Sequence, residues 1–202
     1  MTKKGLIFMD KKAFSVKKMA MIAIFASMMC VCAWIAVPSP FSAGTFFTLQ
    51  TFAIILAGLV LSPAEALTAS VVYILLGVVG LPVFSSFGTL YSRLFTAYGG
   101  YIFGFLWTPF LISLTKNGLM KLVGDNNKAL KAVVYIGVAV ILGILLIDIP
   151  GVIQYMIVTG SDFFTASVLA ALAFMPTDIL KCILAAVIAM ALEKALPKFL
   201  KQ

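Results

Sequence analysis

Two oppositely charged residues, Asp178 and Lys181, lie three positions apart at the start of the apolar C-terminal segment. Ionisable groups in such a segment indicate a polar site, and residues three apart on a helix share a face. A carboxylate accepts hydrogen bonds and an ammonium donates up to three, so the pair would suit a ligand with N–H and C=O groups. A structural interpretation is equally open, in which Thr177 caps the helix, Asp178 faces its dipole and Lys181 pairs with Asp178.

Other polar and aromatic residues could complete a binding site at the same end of the molecule. Gln50 could bind a ligand or hydrogen-bond a neighbouring helix. Arg93 could attract an anionic ligand or be a solvated loop charge. Aromatic residues such as Phe84 could line an apolar pocket or belong to an interfacial belt. The candidates on the predicted outer side are Gln50, the Pro82–Tyr101 loop, Gln154 with Tyr155, and Asp178 with Lys181.

Several classes of chemistry have no support in the residues. The chain contains no histidine, which removes the commonest general base and metal ligand. It has no phosphate-binding loop and no serine nucleophile elbow. Its three cysteines lie inside apolar blocks and form no metal-binding or disulfide pattern. We therefore expect binding or transport rather than catalysis, with no metal and no cofactor.

The composition makes lipid the solvent for most of the chain. It is 63% hydrophobic with a mean hydropathy of +1.15, whereas soluble domains are about 45–50% apolar. Long uncharged blocks recur, each near the roughly 20 residues that cross a bilayer. We predict an all-α integral membrane protein, a six-transmembrane-helix bundle that forms one domain over residues 1–202. The predicted spans are about Met19–Val37, Thr48–Leu61, Ala66–Leu81, Tyr98–Leu114, Ala132–Ile149 (or on to Val158) and Thr177–Leu196.

The basic residues predict the orientation of the bundle. Of 15 Lys and Arg residues, 13 fall before the first span, between the fourth and fifth, or after Lys181. By the positive-inside rule both termini are cytoplasmic, with residues 1–18 as a basic cytoplasmic segment. The apolar stretch after it is too long for a signal peptide. The net charge of +8 therefore indicates a multi-pass protein of the cell membrane rather than nucleic-acid binding.

A small-residue face on the first span includes Ala23, Ala26 and Ser27. The spacing of Ala23 and Ser27, small residues four apart, permits close approach of another helix. This face could pack inside the protein or could dock a membrane partner.

Five short motifs occur in order along most of the chain: FTLQTF at Phe47–Phe52, LAG at Leu56–Gly58, LGVVGLPVF at Leu76–Phe84, GGYIFGF at Gly99–Phe105 and PTDILK at Pro176–Lys181. Each motif is short, but their joint order and spacing are specific. Together they resemble the BioY family, the biotin-binding S components of energy-coupling factor (ECF) transporters.

The resemblance implies a six-helix membrane protein with an outward-facing vitamin pocket. Asp178 and Lys181 would hold the polar head of biotin, while Gln50, Phe84 and Tyr101 would line the pocket. Transport would require a transmembrane coupling subunit and two ATPase subunits, in agreement with the missing phosphate loop. The small-residue face would dock the coupling subunit.

Some motifs depart from the family pattern where a ligand would be covered. The loop after GLPVF is usually glycine-rich, but here it reads SSFGTLYSR over Ser85–Arg93. The usual GPTGGY reads TAYGGY over Thr96–Tyr101, and the usual PGD reads PTD at Pro176–Asp178. The first two of these changes replace glycine-rich sequence in the loops that would cover a ligand. They are expected to make those loops bulkier and stiffer. They leave open a related carboxylate such as lipoate or a biotin precursor, and a membrane assembly protein without transport remains the alternative class.

Overall fold

The structure is a computed structural model, which describes residues 15–38, 46–123 and 127–195. Most of the predicted cytoplasmic segment 1–18 lies outside these residues. The described chain is predominantly helical, and its short 3-10 turn (Ser85–Phe87) and π-helical turn (Val168–Leu172) flank the outer loops. The main elements are α1 (Val16–Trp34), β1 (Ala36–Pro38), β2 (Phe46–Thr48), α2 (Gln50–Val60), α3 (Pro63–Val78), α4 (Leu90–Leu94), α5 (Gly100–Val123), α6 (Lys128–Thr159), α7 (Phe163–Ser167) and α8 (Met175–Ala195).

Local sequence signals explain where the first helices begin. The Ser15 side chain caps α1 by accepting from the Lys18 amide at 3.3 Å. The α3 helix starts with Pro63 in its first turn and a capping box, in which the Glu65 carboxylate accepts from the Ser62 amide at 3.2 Å. Glu65 also pairs with Lys18 across 3.5 Å, so the same acid starts α3 and ties it to α1.

Within the described residues, α1, α6 and α8 are the helices both long and apolar enough to cross a membrane. The α2 helix has 11 residues, about 16 Å at 1.5 Å per residue, which is shorter than the roughly 30 Å hydrocarbon core. Nearly all of α2 is buried, and it packs against α1, α5 and α8. It therefore forms the centre of the bundle, while exposed apolar side chains such as Ile141 and Leu145 on α6 face outward.

Three local predictions need correction. The basic loop predicted over Lys116–Lys131 is much shorter, because α5 continues to Val123 and α6 begins at Lys128. Lys116 lies within α5, and its Nζ donates to the Leu59 carbonyl at 2.7 Å and lies 5.6 Å from the Tyr135 ring centroid. The predicted loop before the fourth span contains α4. The all-α prediction also missed the antiparallel ribbon of β1 and β2, whose three-residue strands are too short to show a periodic pattern.

Glycine lets α5 and α6 approach closely. Pro150 lies inside α6 and leaves the Leu146 carbonyl without its helical N–H donor. A Cβ added at Gly104 would lie 2.7 Å from that carbonyl oxygen, and one at Gly100 would lie 2.0 Å from the Pro150 oxygen. The bare backbone of α5 thus packs onto α6, which brings the aromatic side chains of both helices to the same outer end.

Candidate functional site

A cavity opens among α2, α5, α6, α8 and the loops that precede α5. It encloses about 760 Å³ of space between atoms, a volume that includes the open solvent at its mouth. All six residues predicted to bind a ligand line this cavity, although they come from five different segments. They are Gln50, Phe84, Arg93, Tyr101, Asp178 and Lys181.

The Asp178–Lys181 pair forms as the spacing predicts. Lys181 Nζ donates to Asp178 Oδ1 at 2.8 Å, and the two side chains are only 12% and 10% exposed. The α8 helix begins at Met175, so Thr177 is not the cap, and its hydroxyl instead donates to the Phe174 carbonyl at 2.8 Å. Asp178 lies in the first turn, where the helix dipole favours a negative charge. The structural interpretation and the ligand-binding interpretation are therefore compatible, because the helix dipole stabilises Asp178 while both residues of the pair line the cavity.

Gln50 is held by a residue that the sequence interpretation did not select. Its amide nitrogen donates to the Tyr73 hydroxyl, which donates to the Val83 carbonyl at 3.1 Å. Gln50 is 2% exposed, so the amide both hydrogen-bonds a neighbouring helix and borders the cavity. The sequence did contain a signal for this role, because Tyr73 lies within an apolar predicted span. A buried tyrosine hydroxyl needs a hydrogen-bond partner.

Phe84 is an anchor of the outer loop rather than a belt residue. It is 2% exposed, and its ring centroid lies 5.1 Å from that of Tyr73. A Cβ added at Gly77 would lie 2.2 Å from Phe84 Cε2, so α3 can hold this ring only because residue 77 has no side chain. Phe87 and Tyr91 are 64% and 62% exposed, as expected for an interfacial aromatic belt.

Arg93 brings a second polar centre to the cavity. Its guanidinium carbon lies 5.5 Å from the Phe46 ring centroid, a cation–π distance. Its side chain also passes close to Gly88, where an added Cβ would lie 2.5 Å from Nε. That Nε is buried and has no hydrogen-bond partner among the described residues. Arg93 is therefore not simply a solvated loop charge, because its side chain packs near Phe46 and Gly88 and lines the cavity.

Two candidates from the sequence have structural partners and do not line the cavity. The Gln154 amide nitrogen donates to the carbonyls of Leu94 and Thr96 at 2.5 and 2.8 Å. Tyr155 packs edge-on against Tyr98, with 5.3 Å between ring centroids. Gln154 and Tyr155 thus have a structural role, since these contacts fix the segment before α5 onto α6.

Comparison with known proteins agrees with this architecture. A family model described as the BioY family matches residues 8–198. The chain belongs to the BioY family. It is 31% identical to the biotin transporter BioY of Thermotoga maritima over 177 residues, which are 85% of this chain and 92% of the relative. It is 30% identical to the probable biotin transporter BioY of Pyrococcus horikoshii over 180 residues, with 88% and 96% covered.

A solved structure has the same fold as this BioY-family chain. It is the crystal structure of an S-component for biotin from an ECF-type ABC transporter, with a TM-score of 0.77 and 24% identity. The match covers 89% of this chain and 92% of the solved chain. The relatives are named as transporters, in agreement with the prediction that the chain is not an enzyme.

The small-residue face of this BioY-family chain divides between interior and exterior. Ala26 is 2% exposed and packs inside the bundle, whereas Ala23 and Ser27 are exposed. Ala26 therefore packs inside the protein, and the docking role predicted for it does not fit its burial. The residues of α1 available to another helix are the exposed small residues Ala20, Ala23 and Ser27.

Asp148 is the acidic residue that the sequence interpretation overlooked. It lies in α6, is 6% exposed, and its Oδ2 has no hydrogen-bond partner in the described part of the chain. It interacts electrostatically with Asp178 and Lys181. The sequence could have identified Asp148, because a single acidic residue within a predicted membrane span indicates a functional site. No group of three or more metal-ligating side chains occurs among the described residues.

Proposed function

We propose that this chain is the biotin-binding S component of an ECF-type vitamin uptake transporter. The observation that carries the proposal is the buried Asp178–Lys181 pair, whose two residues line the open cavity. A buried ion pair is weak evidence for stability alone, because desolvation offsets much of its attraction. A pair that borders a cavity remains available to a ligand that has matching polar groups.

The polar head of biotin matches this end of the cavity. Its ureido ring has two N–H donors and one carbonyl acceptor. Lys181 has donors beyond the one used on Asp178, and the carboxylate of Asp178 has a second oxygen. The ring carbonyl would accept from Lys181, and a ring N–H would donate to Asp178. Because Gln50 donates through its nitrogen to Tyr73, its amide oxygen is left as a further acceptor.

The carboxylate of biotin requires a different partner, and Arg93 supplies one. Arg93 lines the same cavity, and a guanidinium pairs well with carboxylates. Apolar residues such as Phe84, Ile102 and Phe105 line the same cavity and would surround the aliphatic chain of the ligand. We therefore infer that Arg93 binds the tail of the vitamin and that Asp178 and Lys181 bind its head.

The same chemistry ranks the alternative ligands. Lipoate has a carboxylate for Arg93, but its dithiolane ring has neither N–H nor carbonyl. Such a ring would cover Asp178 and Lys181 without satisfying them, and leaving buried polar groups unsatisfied costs free energy. Biotin or a precursor that retains the ureido ring is therefore the favoured ligand.

We further propose that α1, α2, α3, α5, α6 and α8 correspond to six membrane spans of one domain, with both termini cytoplasmic in the cell membrane. The α2 helix is shorter than the hydrocarbon core, so its crossing would include the flanking residues of the predicted span Thr48–Leu61. The positions of the basic residues support this orientation. Transport would depend on an ECF transmembrane coupling subunit and two ATPase subunits. The exposed residues Ala23 and Ser27 of α1 would contact the coupling subunit, since small residues permit close helix packing.

Ligand binding by the purified protein in detergent tests the proposed function. We expect biotin to bind saturably without ATP and to raise the unfolding temperature, because a ligand that binds only the folded state stabilises it. Asp178→Asn and Lys181→Ala should each weaken binding by roughly 2–5 kcal/mol. Lys194→Ala, in the last turn of α8, and Asp162→Asn, in the exposed cap of α7, are matched controls that should bind like the wild type.

The possible negative results separate the alternatives. A response to lipoate without one to biotin would overturn the biotin assignment and retain the S-component class. No response to either ligand, with lower stability in the Asp178 and Lys181 variants, would favour a membrane assembly protein. Unchanged affinity in both variants would return this pair to a purely structural role.

A further inference from the structure

Two buried polar atoms near the proposed head-group site have no hydrogen-bond partner among the described residues. One is Oδ2 of Asp148 on α6, and the other is the hydroxyl oxygen of Tyr101 on α5. They belong to groups that interact electrostatically with each other and with Asp178. Buried polar atoms without a partner are rare in native proteins, and each requires an explanation.

The packing of α5 on α6 places the Tyr101 ring next to the turn that contains Asp148. A Cβ added at Gly151 would lie 2.7 Å from Tyr101 Cζ, the carbon that carries the hydroxyl. Gly151 follows Asp148 by three residues in α6, so both lie on the same helix face. The glycine admits the ring, and the acid lies one turn away.

The two groups have different access to the cavity. Tyr101 lines it, together with Asp178 and Lys181. Asp148 does not line it, although the preceding residue Ile147 does. A carboxylate only accepts hydrogen bonds, whereas a tyrosine hydroxyl can donate one and accept others. Asp148 can therefore influence a ligand through Tyr101 without contacting the ligand itself.

We propose that Asp148 is a positioning residue that makes Tyr101 a hydrogen-bond acceptor for the ligand. In the bound state the Tyr101 O–H donates to the Asp148 carboxylate, which directs the oxygen lone pairs into the cavity. An N–H of the ligand then donates to the Tyr101 oxygen. This inference rests on the proposed function and deepens it, because it assigns Tyr101 and Asp148 to the recognition of N–H groups in the head of the ligand.

Substitution of Asp148 by leucine separates this role from a structural one. Asp148→Leu removes a buried oxygen that has no partner among the described residues, so the ligand-free protein should unfold at the same temperature as the wild type or a higher one. Biotin affinity should nevertheless fall by roughly tenfold, as expected when a hydrogen-bond acceptor is lost. Asp148→Asn retains an acceptor oxygen and should recover most of that loss. Asp162→Asn, at an exposed acid outside the cavity, is the control, because asparagine keeps the side-chain oxygen that caps α7.

A double-mutant cycle with Tyr101→Phe tests the coupling directly. Tyr101→Phe alone should also weaken biotin binding by roughly tenfold, since it removes the same acceptor. The double variant should bind no more weakly than the weaker single variant, because both changes break one relay. Isothermal titration with biotin provides all four affinities, and Asp148→Ala, which also removes the acceptor, gives a second cycle if Asp148→Leu does not fold.

Additive losses of affinity in the cycle would overturn the inference. Wild-type affinity of Asp148→Leu would also overturn it. The same holds if Asp148→Asn binds biotin no better than the leucine variant. A parallel fall in stability and affinity would indicate a structural role for Asp148 and would also overturn it. A wild-type protein that does not bind biotin would instead overturn the proposed function and this inference with it. The wild-type titration therefore distinguishes the two failures.

Discussion

The Tyr73 hydroxyl of α3 accepts a hydrogen bond from the Gln50 amide of α2 and donates one to the Val83 carbonyl of the following loop. One side chain thus connects a cavity residue to the segment that carries Phe84. Tyr73 itself is fully buried. The position of the loop and the orientation of Gln50 consequently depend on the same hydroxyl.

Tyr73→Phe should reduce both stability and biotin affinity. It removes the hydroxyl but leaves the Gln50 amide and the Val83 carbonyl buried without their partner, which costs about 1–3 kcal/mol. Thermal unfolding in detergent and titration with biotin measure the two effects. Tyr91→Phe, at an exposed tyrosine, should change neither. A variant of Tyr73 with full affinity would show that the hydroxyl does not orient Gln50.

Gly77→Ala should displace Phe84 and with it the loop over the cavity. The new methyl group would lie 2.2 Å from Phe84 Cε2, so the ring must move, and overpacking of this kind costs typically 1–3 kcal/mol. Thermal unfolding and biotin titration should both reveal the change. Gly137→Ala is the matched control, because an added Cβ there meets no atom of the described residues within 4 Å. Equal behaviour of the two alanine variants would contradict the anchoring role of Phe84.

Local spacing made part of the site predictable. Asp178 and Lys181 are three residues apart in an apolar helix, so their pairing follows from helix geometry alone. The predominantly helical membrane architecture follows from composition in the same way. The motifs that resemble the BioY family selected Gln50 and Tyr101, and both line the cavity.

Contacts between distant segments could not be predicted from the sequence. Gln154 has the same side chain as Gln50, but it holds the segment before α5 through bonds to the Leu94 and Thr96 carbonyls. Which glutamine reaches the cavity depends on how α5 packs on α6, and that packing depends on Gly100 meeting the Pro150 carbonyl. Asp148 was missed because its surroundings, rather than its neighbours in the sequence, distinguish it.

Trp34→Phe should accelerate the release of biotin. The Trp34 indole N–H donates to the Pro82 carbonyl at 2.7 Å, and its ring stacks on Phe87 with 5.6 Å between centroids. These contacts tie the end of α1 to the loop that contains Phe84. Loss of one hydrogen bond, worth about 1 kcal/mol, should raise the dissociation rate roughly fivefold. Stopped-flow displacement of labelled biotin measures this rate.

The matched control for Trp34→Phe is Phe95→Leu. Phe95 is an exposed aromatic residue directly after α4. It should release biotin at the wild-type rate, because its side chain is 76% exposed and so contributes little to the packing of the described residues. If Trp34→Phe also releases biotin at the wild-type rate, the loop is held closed by contacts other than those with Trp34.

Ala23→Leu should prevent assembly with the coupling subunit while leaving biotin binding intact. Ala23 is exposed on α1, away from the cavity residues, and a larger side chain there would hold a partner helix away from the small-residue face. Co-purification with the coexpressed coupling and ATPase subunits measures assembly, and titration measures binding. Ala191→Leu, at an exposed alanine of α8, is the control. Loss of assembly in both variants would indicate a general effect of bulk in the membrane, whereas normal assembly of Ala23→Leu would place the partner on another face.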